Sequence, residues 1–363
     1  MAIATLTARA TLHPLVLPVR ADAADAGEFH ELARVRNAVY RELTGRDEQD
    51  LSPAELLPLL RSRTERTTYV WTIRQEGEVV GRTVVDVPHD PGSRVVIATI
   101  ELLPRVWGQG IGTAVLPHVE AIARDHGRSV IQNWTEQQAS DGPRIEAPTG
   151  FGSVPRDHVA RFLQNNGFGL EQVYRVSHLA LSERVDTHVD ALLTEARLAA
   201  SDYRVVHWTS PTPAERIDDY AWLKSRMSTD APSAGLDTDE EKWDARRVTE
   251  MEERVDQMGK TLLVVAAEHI QTGRLSAFTE LGIGSDHSAT THQNDTLVLK
   301  EHRGHRLGML LKCEALRLWR DLMPESTLVI TYNAEENRPM LSINEAIGFS
   351  PIAYEGAWKK ELT

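Results

Sequence analysis

Apolar and polar residues follow the same order of periodicities in each half of this 363-residue chain. Period-two alternation and short apolar runs predict strands in the first half over residues 15–19, 67–74, 78–87, 94–103, 129–134 and 174–181. Apolar residues spaced three and four apart predict helices over residues 24–43, 53–61, 111–126 and 157–166. This half is therefore expected to form an α/β domain.

The second half repeats the order with different lengths. Its predicted strands cover residues 203–208, 261–267, 274–281, 296–300, 327–332 and 352–358, and its predicted helices cover residues 213–227, 239–258, 307–322 and 338–347. A chain of this length fits two domains of ordinary size. We predict an N-terminal domain over residues 1–182, a polar and partly helical linker over residues 183–201, and a C-terminal domain over residues 202–363.

A glycine-containing segment follows a predicted buried strand in each half and opens the next helix. The copies are Trp107-Gly108-Gln109-Gly110-Ile111-Gly112-Thr113 and Arg303-Gly304-His305-Arg306-Leu307-Gly308-Met309. Closely spaced glycines let several backbone N–H groups converge on an anion, and the positive end of the following helix dipole points to the same place. The pattern indicates a pyrophosphate-binding unit that occurs twice.

Other glycine-loop families do not fit these segments. A dinucleotide-binding loop needs Gly-x-Gly-x-x-Gly after the first strand, and a Walker loop needs Gly-Lys-Ser or Gly-Lys-Thr; neither segment has either pattern. No His-Glu-x-x-His motif or cysteine pair indicates a metal site, so we predict none. The single cysteine, Cys313, excludes an internal disulfide.

Composition and charge narrow the range of partners. The net charge of −13 argues against a general nucleic-acid binder, because phosphate backbones are bound by clustered Lys and Arg. No apolar stretch approaches the roughly 20 residues of a membrane span. Residues 1–14 lack the charged start and apolar block of a signal peptide. We predict a cytoplasmic protein without nucleic-acid or membrane partners, and the sequence carries no signal for its oligomeric state.

Both glycine segments resemble the acetyl-CoA motif of the GNAT N-acetyltransferases, in which Arg or Gln is followed by two residues, Gly, one residue, and Gly or Ala. A second segment in each half, Arg161–Phe168 and Asn337–Phe349, is similar to the family's late helix, which ends in Gly-Phe. The resemblance covers nearly the whole chain. It implies an α/β fold with the mixed α+β sheet of that family, in two tandem copies.

The resemblance implies acetyl-CoA as the cosubstrate, bound by each glycine segment and by the end of the strand before it. The corresponding residues of the first half are Leu102, Gly108, Gln109, Gly110, Ile111, Gly112 and Thr113. Those of the second half are Val298, Leu299, Arg303, Gly304, His305, Arg306, Leu307, Gly308 and Met309, together with Asn337, which matches an Asn that helps to hold the pantetheine arm.

Both copies depart from the family's pattern. In the first half, Trp107 replaces the Arg or Gln, and Leu163 stands where many members have a Tyr that protonates the departing thiolate. In the second half, Arg306 replaces the middle glycine and Asn344 stands at the Tyr position, whereas Arg303 matches. We therefore predict that the chemistry takes place in the second half.

Acetyl transfer needs a neutral amine, so a carboxylate or histidine must remove a proton from it. The candidates in the second half are Glu280, His292 and Asp295. Glu280 could instead cap its strand or pair with an Arg, and Asp295 could satisfy nearby backbone N–H groups. His292 lies in a polar run over residues 288–294 that is predicted to be a solvated loop. Glu101, inside a buried strand of the first half, is either a paired structural charge or a vestigial base.

The resulting hypothesis is an acetyl-CoA-dependent N-acetyltransferase that acts on a primary amine of a small molecule or peptide. The alternative is a non-catalytic acyl-CoA-binding protein for sensing or assembly. The absence of a Tyr from both late helices favours this alternative slightly, but solvent can also protonate a thiolate.

Overall fold

The chain folds into two compact units in a computed structural model that describes residues 3–138, 140–238, 240–287 and 289–362. The first unit comprises the described residues within Met1–Val173, Ser233–Asp237 and Ala353–Thr363, and the second comprises those within Tyr174–Pro232 and Thr238–Ile352. These units are not continuous in sequence, unlike the domains predicted from the hydrophobic pattern.

The first unit consists of a sheet and of helices that precede and follow the glycine segment in sequence. Its helices are α1 (Gly27–Thr44), α2 (Pro53–Leu60), α3 (Ile111–Asp125) and α4 (His158–Asn165). Its strands are β1 (Ala4–Thr5), β2 (Ala10–Pro14), β3 (Arg66–Gln75), β4 (Glu78–Pro88), β5 (Val95–Leu102) and β6 (Val130–Gln137), which lie side by side in this order, and a separate pair, β7 (Arg144–Glu146) and β8 (Ser153–Pro155). Only β5 and β6 run parallel among the neighbouring strands β1 to β6.

Local sequence signals fix several of these helix ends. Ser52 and Glu55 form a capping box at the start of α2, and Asp157 accepts a hydrogen bond from the backbone of Ala160 at the start of α4. Helix α1 ends at Gly45, whose φ of 72° is favourable for glycine. These signals explain why the predicted helices agree with the observed ones to within a few residues.

The second unit repeats the plan. Its helices are α5 (Glu183–Ala199), α6 (Ile217–Asp230), α7 (Ala245–Gln257), α8 (Leu307–Leu322) and α9 (Arg338–Ile347). Its sheet has the strand order β9 (Gly169–Ala180), β14 (Leu328–Ala334), β13 (Thr291–Val298), β12 (Arg274–Ile283), β11 (Thr261–His269) and β10 (Tyr203–Thr209), in which β13 and β14 are the parallel pair. The last strand of the chain is β15 (Ser350–Glu361).

Each half of the chain supplies a strand to the unit built mainly from the other half. Strand β9 follows α4 in sequence, yet its residues 174–180 pair with β14. Strand β15 comes last, yet it pairs with β6, from Tyr354 opposite Gln137 to Glu361 opposite Val130. Trp358 of β15 is fully buried in the core of the first unit. The predicted strands 174–181 and 352–358 therefore exist, but they complete the sheets of opposite units.

Other predicted elements shift for local reasons. The predicted strand 15–19 is wrong: β2 ends at Pro14, and the following segment leaves Val16 and Val19 more than 80% exposed while Leu15 and Leu17 pack on the core. The segment 183–201, predicted as a partly helical linker, contains helix α5.

One further strand and one further helix begin at residues other than those predicted. The strand predicted over 296–300 is β13 and starts at Thr291. The helix predicted over 239–258 starts at Ala245, and residue 239 itself lies outside the described residues.

Helix α5 is an integral part of the second unit. Its residues Val189, Leu193 and Ala196 belong to the same buried cluster as the apolar face of α8. Arg197 of α5 also pairs with Glu314 of α8. Across the parts of the chain that the structure describes, no helix is long and apolar enough to cross a membrane.

Candidate active site

The parallel strands β5 and β6 pair over only three residues and then diverge. Pairing runs from Val95 opposite Val130 to Ile97 opposite Gln132. At the point of divergence, the side-chain amide of Asn133 donates a hydrogen bond to the carbonyl of Ala98 at 2.8 Å. Beyond it, a cavity of about 480 Å³ opens, a size that suits a small-molecule ligand.

All the residues that line this cavity belong to the first unit. They come from the diverging ends of β5 and β6, from the glycine segment and the start of α3, and from α1, α4 and β15. The predicted cofactor-binding residues on its wall are Leu102, Gly108, Gly110, Ile111, Gly112 and Thr113. Gln109 lies outside this set, because its side chain donates to the carbonyl of Arg105 and accepts from Gln75.

The glycine segment leaves the start of α3 open toward the cavity. Gly108 and Gly110 have φ values of 73° and 76°, a conformation that side chains disfavour. Gly110 is the N-cap of α3, and no side chain within the described residues caps the helix there. The first N–H groups of a helix have no partner inside the helix, so this end of α3 can bind an anion.

Trp107 forms part of the cavity wall. Its indole N–H donates to the carbonyl of Leu102 at 2.8 Å, and its ring stacks on His158 of α4 with centroids 3.7 Å apart. Burial lowers the pKa of His158, which favours the neutral imidazole. The residue that replaces the family's Arg or Gln therefore joins the glycine segment to α4.

Three carboxylates reach the cavity from three strands, and two of them are paired. Glu101 of β5 is buried and accepts two hydrogen bonds from Arg82, at 2.5 and 2.8 Å. Of the two possibilities for Glu101, the paired structural charge is the one observed. Glu136 of β6 pairs with Arg46 and accepts a hydrogen bond from Gln49 at 2.8 Å.

The third carboxylate is Glu355, which lies opposite Glu136 in the β15–β6 ladder. Its side chain lines the cavity, and within the described residues it has no hydrogen bond or ion pair. Burial, reinforced by the nearby Glu136, raises the pKa of Glu355 to about 8. Sequence patterns do not point to this residue, because it lies in the second half of the chain and only the pairing of β15 with β6 brings it to this cavity.

The predicted catalytic residues of the second half do not form one group. Lys224 of α6 joins two of them, since its ammonium lies 3.1 Å from Glu280 and 2.6 Å from Asp295. Tyr220 donates a further hydrogen bond to Glu280 at 2.5 Å. Glu280 is almost fully buried, and burial raises its pKa, although Lys224 opposes this shift.

His292 lies apart from this ion-pair network. It belongs to strand β13, in register with Gly282 and Ile330, rather than to a loop. Burial lowers the pKa of His292 to about 4, so the imidazole is neutral at pH 7. Residue 288, the first of the polar run in which His292 lies, is outside the described residues.

The second glycine segment differs from the first in its surroundings. Arg306 replaces the glycine at the N-cap of α8 with a φ of 56°, and its guanidinium pairs with Glu195 of α5 at 3.0 Å. The close packing at the last glycine is common to both segments, since a Cβ would lie 3.0 Å from Phe162 at Gly112 and 2.9 Å from Ile343 at Gly308. Arg303 donates to the carbonyl of Val298 at 3.3 Å.

Other predicted cofactor-binding residues of this half make packing or capping contacts. Leu299, Leu307 and Met309 are buried in the core of the second unit. The ring of His305 lies 5.4 Å from that of Tyr203. Asn337 accepts a hydrogen bond from the backbone of Met340 and so caps α9.

Comparison with known proteins agrees with this description. Residues 32–142, which include most of α1, all of β5 and the first glycine segment, match the acetyltransferase (GNAT) family model. No curated protein sequence matches the chain.

Solved structures match over nearly the whole chain. A tandem GNAT protein from the clavulanic acid biosynthesis pathway, solved without acetyl-CoA, is 23% identical with a TM-score of 0.70, covering 97% of this chain and 98% of that one. A GCN5-related N-acetyltransferase from Sphaerobacter thermophilus is 14% identical with a TM-score of 0.60, at coverages of 98% and 97%. At these sequence identities, the similarity shows a shared fold and nothing more. Residues 32–142 thus match the GNAT acetyltransferase family, and over nearly its whole length the chain has the fold of a tandem GNAT protein.

Proposed function

We propose that the protein transfers an acyl group from acyl-CoA, with acetyl-CoA as the first candidate, to an amine of a small molecule or peptide, and that it does so in the first unit. The observation that carries this proposal is the cavity between the diverging ends of β5 and β6, which meets the uncapped start of α3. The family match to residues 32–142 supports the same assignment.

The residues of the cavity fit acyl-CoA. The backbone N–H groups at Gly110, Ile111 and Gly112 would hold the pyrophosphate, since they lie at the positive end of α3. Strand β5 ends its pairing with β6 at Ile97, so the backbone beyond it is available on that side for an extended pantetheine arm. Acyl-CoA would supply the acyl group as a reactive thioester.

The overall reaction defines what the protein must do. A C–N bond forms between the acceptor nitrogen and the acyl carbon, and the C–S bond of the thioester breaks. An ammonium acceptor loses two protons in becoming an amide, of which one ends on the sulfur of CoA and the other must pass to a side chain or to water. The cavity therefore needs a proton acceptor near the amine.

For the second unit we propose a structural role, which differs from the prediction made from the glycine motifs. Glu280, one of the three candidate bases predicted from the sequence, has its charge compensated by Lys224. Arg306 is directed to α5 by its ion pair with Glu195. Both groups are thus engaged in contacts within the unit.

We expect acetyl-CoA to bind with a stoichiometry of one, because one of the two glycine segments opens onto the cavity described here. Isothermal titration calorimetry of the purified protein measures this number directly. A stoichiometry of two would indicate that the second glycine segment also binds acetyl-CoA. No binding at millimolar acetyl-CoA would refute the proposed function.

Release of free thiol in the presence of a panel of primary amines distinguishes the enzyme from the sensor. The proposed enzyme releases thiol with at least one amine at a rate above its rate without amine. Acetyl-CoA binding without any amine-dependent thiol release would favour a sensing or assembly protein.

A further inference from the structure

Glu355 is the uncompensated acid of the cavity. Arg82 balances the charge of Glu101, and Arg46 balances that of Glu136, whereas the carboxylate of Glu355 has no counter-ion in the part of the chain that the structure describes. A half-buried carboxyl without a counter-ion is costly to ionise. A cavity that contains such a carboxyl therefore favours a positively charged ligand, which would act as the counter-ion.

Resting on the proposed function, we propose that Glu355 binds the ammonium group of the acceptor and takes its first proton, and that the acceptor is an amine without a carboxylate beside its nitrogen. Glu355 comes from the last strand of the chain, so the inference also makes β15 a part of the first unit's active site.

The groups around Glu355 support ammonium binding. Glu136 on β6 lies opposite it, Tyr40 on α1 lines the same cavity, and Glu101 on β5 stands with its partner Arg82. Burial and the charge of Glu101 raise the pKa of Tyr40, so its phenol stays neutral. Trp134 of β6 adds an aromatic ring to the wall, and ring faces attract cations.

The pKa of Glu355, about 8, determines whether this carboxyl is protonated before and after the amine binds. In the free protein at pH 7 this carboxyl is mostly protonated. An ammonium ion favours the ionised carboxylate, so binding of the amine lowers this pKa and displaces the proton. The carboxylate then accepts one proton from the ammonium, which frees the nitrogen lone pair to form the C–N bond. The second proton of the nitrogen is the one that ends on the CoA sulfur.

The same acids exclude an acceptor such as a free α-amino acid. Its carboxylate would lie one carbon from the ammonium and would add a second anion beside Glu355, whose charge the ammonium compensates, in a cavity where the charges of Glu101 and Glu136 are already balanced. Like charges placed together in a desolvated site repel each other, which disfavours binding. Butylamine and norvaline test this point, because norvaline is butylamine with a carboxylate on the carbon that bears the nitrogen.

The experiment compares the wild type with Glu355→Gln and with a control on the same strand, Glu361→Gln. Glu361 is exposed and pairs with Arg94 outside the cavity. Thermal unfolding of each protein is measured from pH 4 to pH 9.5, with and without 20 mM butylamine or norvaline. Calorimetry with acetyl-CoA and the rate of thiol release with butylamine complete the set.

We expect Glu355→Gln to bind acetyl-CoA like the wild type but to lose the rise in Tm that butylamine causes, and to lower kcat/KM for butylamine about 100-fold. The wild-type kcat/KM should rise with pH up to about 8, and this inflection should vanish in Glu355→Gln. Glu361→Gln should behave like the wild type, and norvaline should raise Tm in none of the proteins.

Folding stability provides a readout without any ligand. A carboxyl with a raised folded-state pKa contributes stability that is fully present below its ordinary value of 4.5 and is lost as the pH rises through about 8. Glu355→Gln removes this loss, so its Tm should exceed that of the wild type at pH 9 but not at pH 4.

The outcomes separate the two proposals. If the wild type does not bind acetyl-CoA, the proposed function fails. If acetyl-CoA binds but butylamine raises Tm equally in the wild type and in Glu355→Gln, or raises it in neither, the role of Glu355 is refuted while the proposed function stands. A rise in Tm with norvaline equal to that with butylamine would refute the acceptor class.

Discussion

Gly108→Asp is expected to lower kcat/KM for acetyl-CoA about a thousandfold. Gly108 lies on the cavity wall beside the start of α3, where the proposed function places the pyrophosphate. An added carboxylate there faces the anion in a partly desolvated site, which costs several kcal/mol, and about 4 kcal/mol corresponds to a thousandfold loss. Steady-state kinetics and calorimetry with acetyl-CoA measure the effect.

Gly304→Asp is the matched control, because Gly304 is the equivalent glycine of the second unit. Both glycines have a positive φ, 73° and 92°, and a Cβ at either position would meet no atom within 4 Å. The backbone cost of the substitution, about 1 kcal/mol, should therefore be similar in both variants. A large loss of activity in Gly304→Asp, with Gly108→Asp active, would move the active site to the second unit.

Lys224→Met is expected to lower the free energy of unfolding by about 3–5 kcal/mol. Lys224 is the counter-ion of Glu280, which is only 3% exposed, and of Asp295. Without Lys224, the carboxylate of Glu280 remains buried with Tyr220 as its neutral partner. The loss should be larger at pH 8 than at pH 4, because a carboxyl whose folded-state pKa is raised destabilises the protein as it ionises.

Urea-induced unfolding of the double variant Lys224→Met/Glu280→Gln tests the cause. The double variant should recover at least half of the lost stability, because the unpaired charge is gone. A loss below about 1 kcal/mol in the single variant would contradict a buried ion pair, since exposed pairs contribute no more than this. Retained turnover in Glu280→Gln, measured at a temperature where it is folded, would also exclude Glu280 as the base.

Most elements of this fold follow from local patterns. The helices 307–322 and 338–347 were predicted at their observed bounds, since glycines and an Asn mark their ends and apolar residues recur along one face. The hairpin of β3 and β4 also follows from alternation around a Gly-containing turn. Local patterns failed at residues 15–19, where Pro14 and Pro18 flank an apolar run that packs on the core without pairing as a strand.

The candidate site depends on features that local patterns do not carry. Alternation predicts that residues 352–358 form a strand, but it does not say which sheet the strand joins. The cavity results from the divergence of β5 and β6, and the pairing of Glu136 with Arg46 joins positions 90 residues apart. The glycine motif predicts an anion site in both halves, and the two segments differ in the side chains that surround them.

The pairing of β15 with β6 has a consequence for how the protein is made. During synthesis, the N–H and C=O groups along one edge of β6 stay without this strand partner until residues 354–361 have been made. An open strand edge is a template for pairing with other chains. The first unit therefore gains its complete sheet only after residues 174–352, most of which belong to the second unit, have been synthesised, and until then this edge of β6 is open.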